Sequence, residues 1–397
     1  MAVAGVIAEY NPFHRGHAWQ VAEIRRRLGA DTAVVACMSG NFVQRGDFAL
    51  VNKHSRAEMA LAGGVDLVLE LPTPWAAAVA ERFAQGAAAV LAAAGVATHL
   101  AFGCECGALE PLLAVAEGLE QAVFSEKLRE MTGKGISFPA ARQQALEEIT
   151  RAGECLSRPN NALAVEYLRA LRSQGYPMEP LALPRTGADH DSWELGDYPS
   201  ASAVRRAVLA GDPWRDLLPE ASGAVLSREM EAGRGPVCWQ NCQRAILARL
   251  RSMGEADFRP YDGGNEGLYH RFYHAVRRAA TVEELLEKAK TKRYPMARLR
   301  RMLLQAYLGV PQAAPGEAPR YIRVLGAGAR GRELLGRMRK TASLPVITKP
   351  GSVRRLGTEI QAAFDLEARC TDLYALAYPD LGQSGPEGEY AAGPVMD

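Results

Sequence analysis

Two histidines three positions apart, with a glycine before the second, stand near the start of the chain in Glu9-Tyr10-Asn11-Pro12-Phe13-His14-Arg15-Gly16-His17. The run follows a short apolar stretch, residues 3–8, and leads into a helical pattern over 17–28. It therefore falls where a strand hands over to a helix. Two imidazoles beside the open N–H groups of a helix N-terminus suit a phosphate that gains negative charge as it is attacked. Gly16 lets the backbone approach such a phosphate, and Pro12 stiffens the turn ahead of it. Two surface histidines in a turn would show the same letters. The place after the first strand is what favours chemistry.

A second candidate lies near residue 200, in Ser200-Ala201-Ser202-Ala203-Val204-Arg205. Ser202 is expected to cap a helix over 202–209, and Arg205, one turn in, to pair with a β- or γ-phosphate oxygen. Alone this is an N-cap followed by a surface arginine. Between the two motifs lie other polar positions in apolar surroundings. A loop over 39–51 carries Asn41, Gln44, Arg45 and Asp47, and Lys53 and Arg56 follow it. Gly103 closes a fourth strand, where a small residue would let a base or ribose lie against the strand end. Pro159-Asn160-Asn161 opens a helix, and Arg185, Gly187, His190 and Asp191 follow a fifth strand. All are expected on one rim, because open α/β sheets bind ligands at the carboxyl ends of their strands.

The elements that must position these residues are legible as a rhythm. Apolar runs over 3–8, 33–37, 66–71, 99–102 and 179–183 alternate with helical patterns over 17–28, 53–62, 79–94 and 202–209. This predicts an α/β fold: a doubly wound parallel sheet, with a helical insertion over 108–174. The rhythm changes near residue 220. Residues 221–310 are helical in pattern and rich in arginine, 311–319 form a loop, and strands over 321–325 and 346–348 flank a basic helix. The chain is expected to divide into a nucleotide-binding domain, 1–220, and a mainly helical basic domain, 221–397, with a small terminal α/β portion. The Gly/Pro-rich stretch from 382 onward is expected to fray.

Composition narrows the class. Of 397 residues, 48% are hydrophobic and 23% charged, which excludes a disordered or collagen-like chain. No run of 18 uncharged apolar residues exists, so no membrane span is expected. The seven cysteines lack zinc-knuckle spacing and are expected to be reduced, in a cytoplasmic protein. The net charge of +2 hides an asymmetry: residues 221–397 hold 27 Lys+Arg and 19 Asp+Glu, so the first 220 are acidic. Residues 259–301 carry 11 basic and 5 acidic residues, with Tyr269, Tyr273 and Tyr294 interleaved. That pattern suits a surface that tracks phosphates and stacks bases, although a solvated helical face would read alike.

Two motifs are decoys. Gly326-Ala327-Gly328-Ala329-Arg330-Gly331 fits GxGxxG, but the next strand ends in Thr348-Lys349 and not in the acid that a dinucleotide site requires. His270 and His274, with Glu266 a turn earlier, lack the HExxH order of a metal helix and are expected to face solvent or RNA.

The longer motifs carry a resemblance. His14-x-Gly16-His17 is the HxGH signature of the HIGH nucleotidyltransferase superfamily. Gly5–His17, Met38–Gly46, Ala101–Glu105, Arg158–Asn161 and Lys290–Tyr294 resemble the bacterial tRNA(Met) cytidine acetate ligase family, over residues 1 to about 375. Phe48 departs from the proline expected there. The resemblance implies a HUP-like nucleotidyltransferase domain that forms acetyl-adenylate from ATP and acetate. The acetyl group would then pass to N4 of the wobble cytidine of elongator tRNA(Met), with release of AMP. It implies ATP contacts at Ile7, Ala8, Glu9, Tyr10, Asn11, Pro12, Phe13, His14, Arg15, Gly16, His17, Ala18, Trp19, Gln20, Gly103, Asn160 and Arg185. His14 and His17 would act on the α-phosphate, and Ser202 and Arg205 on the departing pyrophosphate. Mg²⁺ is expected to accompany ATP, bound mainly through its phosphates. No membrane or DNA partner is implied. Two other readings stay open at this point: a small-molecule adenylyltransferase that makes a dinucleotide, and an RNA-binding protein with a vestigial nucleotide site.

Overall fold

The computed structural model describes residues 1–134, 136, 138–184, 200–263, 267–386 and 388–397. The first half runs β1 (Val3–Ala8), α1 (Arg15–Leu28), β2 (Ala33–Ser39), β3 (Phe42–Val43), β4 (Asp47–Phe48), α2 (Lys53–Ala62), β5 (Leu67–Leu71), α3 (Thr73–Ala76), α4 (Ala80–Ala94) and β6 (His99–Cys104). The insertion follows as α5 (Glu110–Glu120), α6 (Ala122–Gly133), α7 (Phe138–Thr150) and α8 (Pro159–Gln174), then β7 (Glu179–Pro184) and α9 (Ala201–Ala210). The second half holds α10 (Glu220–Glu231), α11 (Trp239–Arg251), α12 (Leu268–Arg278), α13 (Val282–Ala289), α14 (Met296–Leu308), β8 (Ile322–Ala327), α15 (Ala329–Thr341), β9 (Val346–Ile347), α16 (Thr358–Ala375), α17 (Gly388–Ala391) and β10 (Val395–Met396).

The sheet order is β10-β8-β5-β2-β1-β6-β7, with β9 on β8. β1 pairs in parallel with both β2 and β6. The chain thus builds outward from β1 to β5, then crosses to the other side for β6 and β7. The switch point lies between β1 and β6, and ligands of open α/β sheets sit outside the carboxyl ends there. Strand residues alternate between two covered faces. Val3, Val35, Cys37 and Leu69 pack with Phe83, Leu91 and Leu168 on one face. Val6, Val34, Met38 and Val68 pack with Ile24, Met59 and Val204 on the other. Both faces are dry, so the strands read as continuous apolar runs rather than alternating ones. A third core joins α11–α14 and α16 through Leu250, Phe272, Leu285, Leu303 and Tyr374.

Two features of the second half differ from the sequence expectation. β8 pairs antiparallel with β5, so the chain returns from the helical unit to the first sheet, and residue 220 is no boundary of that sheet. A fragment 1–220 would leave the edge of β5 open. Nor does the terminal stretch fray: β10 pairs in parallel with β8, and Glu389 is 1% exposed. Its carboxylate lies 2.5 Å from Lys53 Nζ and 3.3 Å from Arg323 Nε. Lys53 also meets Glu70 at 2.7 Å, and Thr371 donates to Glu389 at 3.0 Å. The short helix α17 thus brings one acid to two buried cations. Lys53 therefore belongs to this cluster and not to the ligand rim.

The GxGxxG run is also packing. A Cβ on Gly331 would stand 2.0 Å from Asp66 O, so the glycine lets α15 lie against the sheet. His270 pairs with Glu255, and no metal-type group of side chains occurs among the described residues. None of their helices is long and apolar enough to cross a membrane.

Removing a single charge from the Lys53–Glu70–Glu389–Arg323 cluster leaves a buried ion uncompensated. Glu389→Gln is expected to lower the unfolding free energy by about 3 kcal/mol, the loss typical of a broken buried pair. Urea titration checks this: an unchanged midpoint would mean that the tail contributes nothing to stability.

Candidate functional site

At the end of β1 the chain turns sharply, and Tyr10 takes φ of 44°. A non-glycine residue there is strained and is held only because its surroundings fix it. Tyr10 is buried, with its ring edge-on to Phe13 and to His17, each at 4.9 Å. Phe13 is buried against Gly63, where a Cβ would meet the ring at 2.2 Å. These aromatic contacts seat the turn on α2.

His14 is the N-cap of α1. Its Nδ1 accepts the Gly16 N–H at 3.1 Å, and His17 Nδ1 accepts the His14 N–H at 3.2 Å. The two imidazoles form their own capping box. A neutral imidazole that accepts at Nδ1 carries its proton on Nε2. Both rings are thereby set as Nε2–H donors, and they stack with centroids 3.7 Å apart. A Cβ on Gly16 would come within 3.0 Å of His14 Cε1, so only glycine leaves the stack undisturbed. Such a pair can hold two oxygens of one phosphate.

Ser202 and Arg205 converge on the same turn. Arg205 donates to Asn11 O at 2.9 Å and to Ser202 Oγ at 3.0 Å. The cap of α9 is Ser200, whose Oγ accepts the Ala203 N–H at 3.1 Å. The expected cap at Ser202 is therefore corrected by two residues: α9 starts at Ala201, which places Ser202 inside the first turn, where its hydroxyl reaches Arg205. Burial pushes the Arg205 guanidinium down, against the pull of Glu9 and Asp47.

The 39–51 loop folds as a hairpin of β3 and β4. Arg56, expected on the rim, is fully buried beneath it. Its guanidinium donates to Val51 O at 3.1 Å, Glu9 O at 2.5 Å, Ser39 O at 3.0 Å and also Gly40 O. Burial pushes this group down to about 10. The residue ties the β1 turn to the β2 turn. Asn11 Oδ1 adds a bond from Leu50 N–H at 2.7 Å, and Glu9 accepts from Gln44 N–H at 2.8 Å. Phe48, where proline was expected, packs on Phe42 and Tyr374, which fastens the loop to α16.

Gly103 lies within β6, which continues to Cys104, so it does not close the strand as expected. Beyond it, Glu105 accepts the Asn160 and Asn161 N–H groups at 3.1 and 2.8 Å. In return, Asn161 Oδ1 accepts the Glu105 and Cys106 N–H groups. Gly103 and Asn160 are thus joined at the end of β6, beside β1. Glu105 was not singled out from the sequence as a site residue. Its signal was an acid just after a strand and a Pro-Asn-Asn helix start further on. Ile7 and Ala8 end β1, Pro12 lies buried in the turn, and Arg15, Ala18, Trp19 and Gln20 lie in the first turns of α1. Arg185, Gly187, His190 and Asp191 fall outside the described residues.

An HxGH turn at the switch point of a parallel sheet defines a HIGH-type nucleotidyl transferase, and the profile of the HIGH Nucleotidyl Transferase family matches residues 1–387. The tRNA(Met) cytidine acetate ligase of Syntrophomonas wolfei is 36% identical, over 100% of this chain and 99% of its own length. That of Acetivibrio thermocellus is also 36% identical, over 98% of each. A crystal structure of Thermotoga maritima TmcAL with alpha-thio ATP superposes with a TM-score of 0.92 at 34% identity, covering 100% of this chain and 99% of that one. The chain belongs to the tRNA(Met) cytidine acetate ligase family.

Arg56→Lys keeps the charge but cannot span the same carbonyls. Losing charge-assisted bonds of about 1.5–3 kcal/mol each should speed amide exchange across 40–51 by roughly tenfold or more. Exchange at the parent rate would mean that Phe42, Phe48 and Gly46 hold the loop without Arg56.

Proposed function

We propose that this chain is an ATP-dependent ligase that joins acetate to N4 of the wobble cytidine in elongator tRNA(Met). The observation that carries the reading is the full-length likeness to ligases of that name, beside the His14-x-Gly16-His17 turn of this chain. A carboxylate oxygen of acetate attacks the α-phosphorus of ATP, and pyrophosphate leaves. The cytidine N4 amine then attacks the carbonyl carbon of acetyl-adenylate, AMP leaves, and N4 gives up a proton. His14 and His17 donate from Nε2 to the α-phosphate oxygens as charge develops there. Ser202 and Arg205 receive the β- and γ-phosphates. Residues from Ile7 to Gln20, with Gly103, Asn160 and Arg185, surround the nucleotide. Mg²⁺ would neutralise the triphosphate and be held mainly by phosphate oxygens.

No covalent acyl-enzyme is required, so no thiol is asked to react. Burial pushes the Cys104 thiol, beside Gly103, up to about 12, which suits an inert role. The seven thiols are unbridged and would suit a reducing cytoplasm. In this reading the ATP site is built on residues 1–220, and the basic residues of 221–397 hold the tRNA. Lys290, Lys292 and Arg293 leave α13 on an exposed turn, and Tyr294 packs beneath them. The direct test is incubation with ATP, labelled acetate and bulk bacterial tRNA, followed by nucleoside analysis. N4-acetylcytidine with free AMP supports the reading. A dinucleotide product would replace it with small-molecule adenylyl transfer.

His14→Ala and His17→Ala should each slow AMP formation by on the order of 10²-fold, the usual loss when a preorganised donor is removed. His14→Ala should also cost about 1 kcal/mol of stability through the lost cap. Near-parent turnover at saturating ATP would remove the assigned role.

Joint replacement of Lys290, Lys292 and Arg293 by Ala should weaken tRNA binding and leave acetyl-adenylate formation intact. The slope of log K against log salt should become shallower by roughly one unit per lost phosphate contact. Lower affinity at an unchanged slope would make these residues structural.

A further inference from the structure

Arg300 stands on α14 where the helical unit meets the catalytic end of the sheet. Its Nε is buried with no hydrogen-bond partner. Its guanidinium lies 5.0 Å from the centre of the Trp239 ring. Trp239 is itself fixed, because its indole N–H donates to Glu283 at 3.0 Å. A cation stacked on a held ring is oriented by it.

The loop tip is pressed on the same turn of helix. A Cβ on Gly46 would stand 2.3 Å from Arg301 N and 2.5 Å from Arg300 C. Gly46 also has φ of +77°, so no other residue fits there without strain. This contact brings the chain on either side of Gly46, at Arg45 and Asp47, to the turn of helix that carries Arg300. Burial pushes the Asp47 carboxyl up, while Arg300 and Arg205 hold it down. Arg45 and Arg300 in turn act on Arg205. Three guanidiniums from a loop, α9 and α14 thus act electrostatically on one another, with Glu9 and Asp47 as the acids among them. Glu9 already accepts a backbone bond. Part of Arg205 is used to hold Asn11 O and Ser202 Oγ. Three neighbouring guanidiniums favour an anion between them, and the planar fork of arginine matches phosphate oxygens.

We propose that Arg300 is a nucleotide-phosphate ligand contributed by the helical unit: with Arg45 and Arg205 it takes the terminal phosphates of ATP, the group that leaves as pyrophosphate. The proposal rests on the reading that ATP is the substrate of this site. The helix that packs on the ligand loop then also completes the pocket for the leaving group. An RNA backbone phosphate has the same chemistry, and the experiment separates the two sources.

Full-length Arg300→Gln and Arg300→Lys chains are titrated by calorimetry with ATP, AMP and inorganic pyrophosphate, and by filter binding with tRNA at several salt concentrations. Thermal melting accompanies both. Arg300→Gln should weaken ATP and pyrophosphate by about tenfold or more, the loss of a charge-assisted bond. AMP, which lacks the terminal phosphates, should bind as before, and tRNA affinity and its salt slope should not move. Arg300→Lys should recover part of the loss, and it carries the comparison if the glutamine variant melts early. Unchanged ATP binding with a salt slope shallower by about one unit would assign the residue to RNA and overturn the proposal. Equal weakening of ATP and AMP, or no change in any titration, would also overturn it. The titrations need neither acetate nor tRNA turnover. A parent chain that binds ATP but makes no N4-acetylcytidine would sink the proposed reaction and leave this test readable.

Discussion

The reciprocal hydrogen bonds between His14 and His17 are the interaction on which the catalytic end depends. Each ring accepts a backbone N–H through Nδ1, and that choice sends the remaining proton to Nε2 in both. A capping box is ordinarily a stability device worth about a kilocalorie. Here the same two bonds cap α1 and fix two tautomers, so the helix cannot start properly unless the donors are already set. The demand travels backward along the chain. Tyr10 accepts positive φ because Phe13 and His17 brace its ring, and Phe13 in turn needs the bare backbone of Gly63.

A turn so constrained needs rigid support, and Arg56 supplies much of it. One buried guanidinium collects carbonyls from the ends of β1 and β2 and from the loop between β2 and α2. Burial makes the charge costly, and four carbonyl acceptors offset that cost without a carboxylate. The loop is held from the other side as well. Tyr374 donates to Ala49 O at 2.8 Å, Phe48 stacks on the same ring, and Gly46 meets α14. The helical unit therefore touches the catalytic end through fixed contacts, not through a flexible linker.

Much of the site was legible because strand-to-helix handovers carry local signals. Pro, Gly and paired histidines after an apolar run located the turn, and the alternation of apolar runs and helical patterns gave the parallel sheet. What escaped depends on tertiary pairing. Ser200 and Ser202 are equivalent as caps by letter, and the true start of α9 separates them. Lys53 and Arg56 are polar residues after a loop, which reads as a ligand rim. Only their partners, Glu389 from the far end of the chain and carbonyls from two turns, make them interior. The final residues look like a tail because Gly and Pro dominate. Their one decisive feature, an acid that meets Lys53 and Arg323, has no local signature at all.

The return of the chain to its first sheet bears directly on the proposed chemistry. An acyl-adenylate must be handed to a second, much larger substrate before water takes it, and a misplacement of about an ångström can cost such a step a hundredfold. Two domains on a loose linker would sample many separations. In this fold β8 is paired to β5, β10 is paired to β8, and Glu367 of α16 accepts two bonds from Thr73 at 2.6 and 2.7 Å. The helices between α10 and α16 are thereby anchored to the sheet at both ends. The acidic first half and basic second half can then keep opposite electrostatic characters while sharing one framework. In the proposed reading, the distance between a nucleotide at the switch point and an RNA on the basic surface would be set by sheet pairing rather than by the reach of a linker.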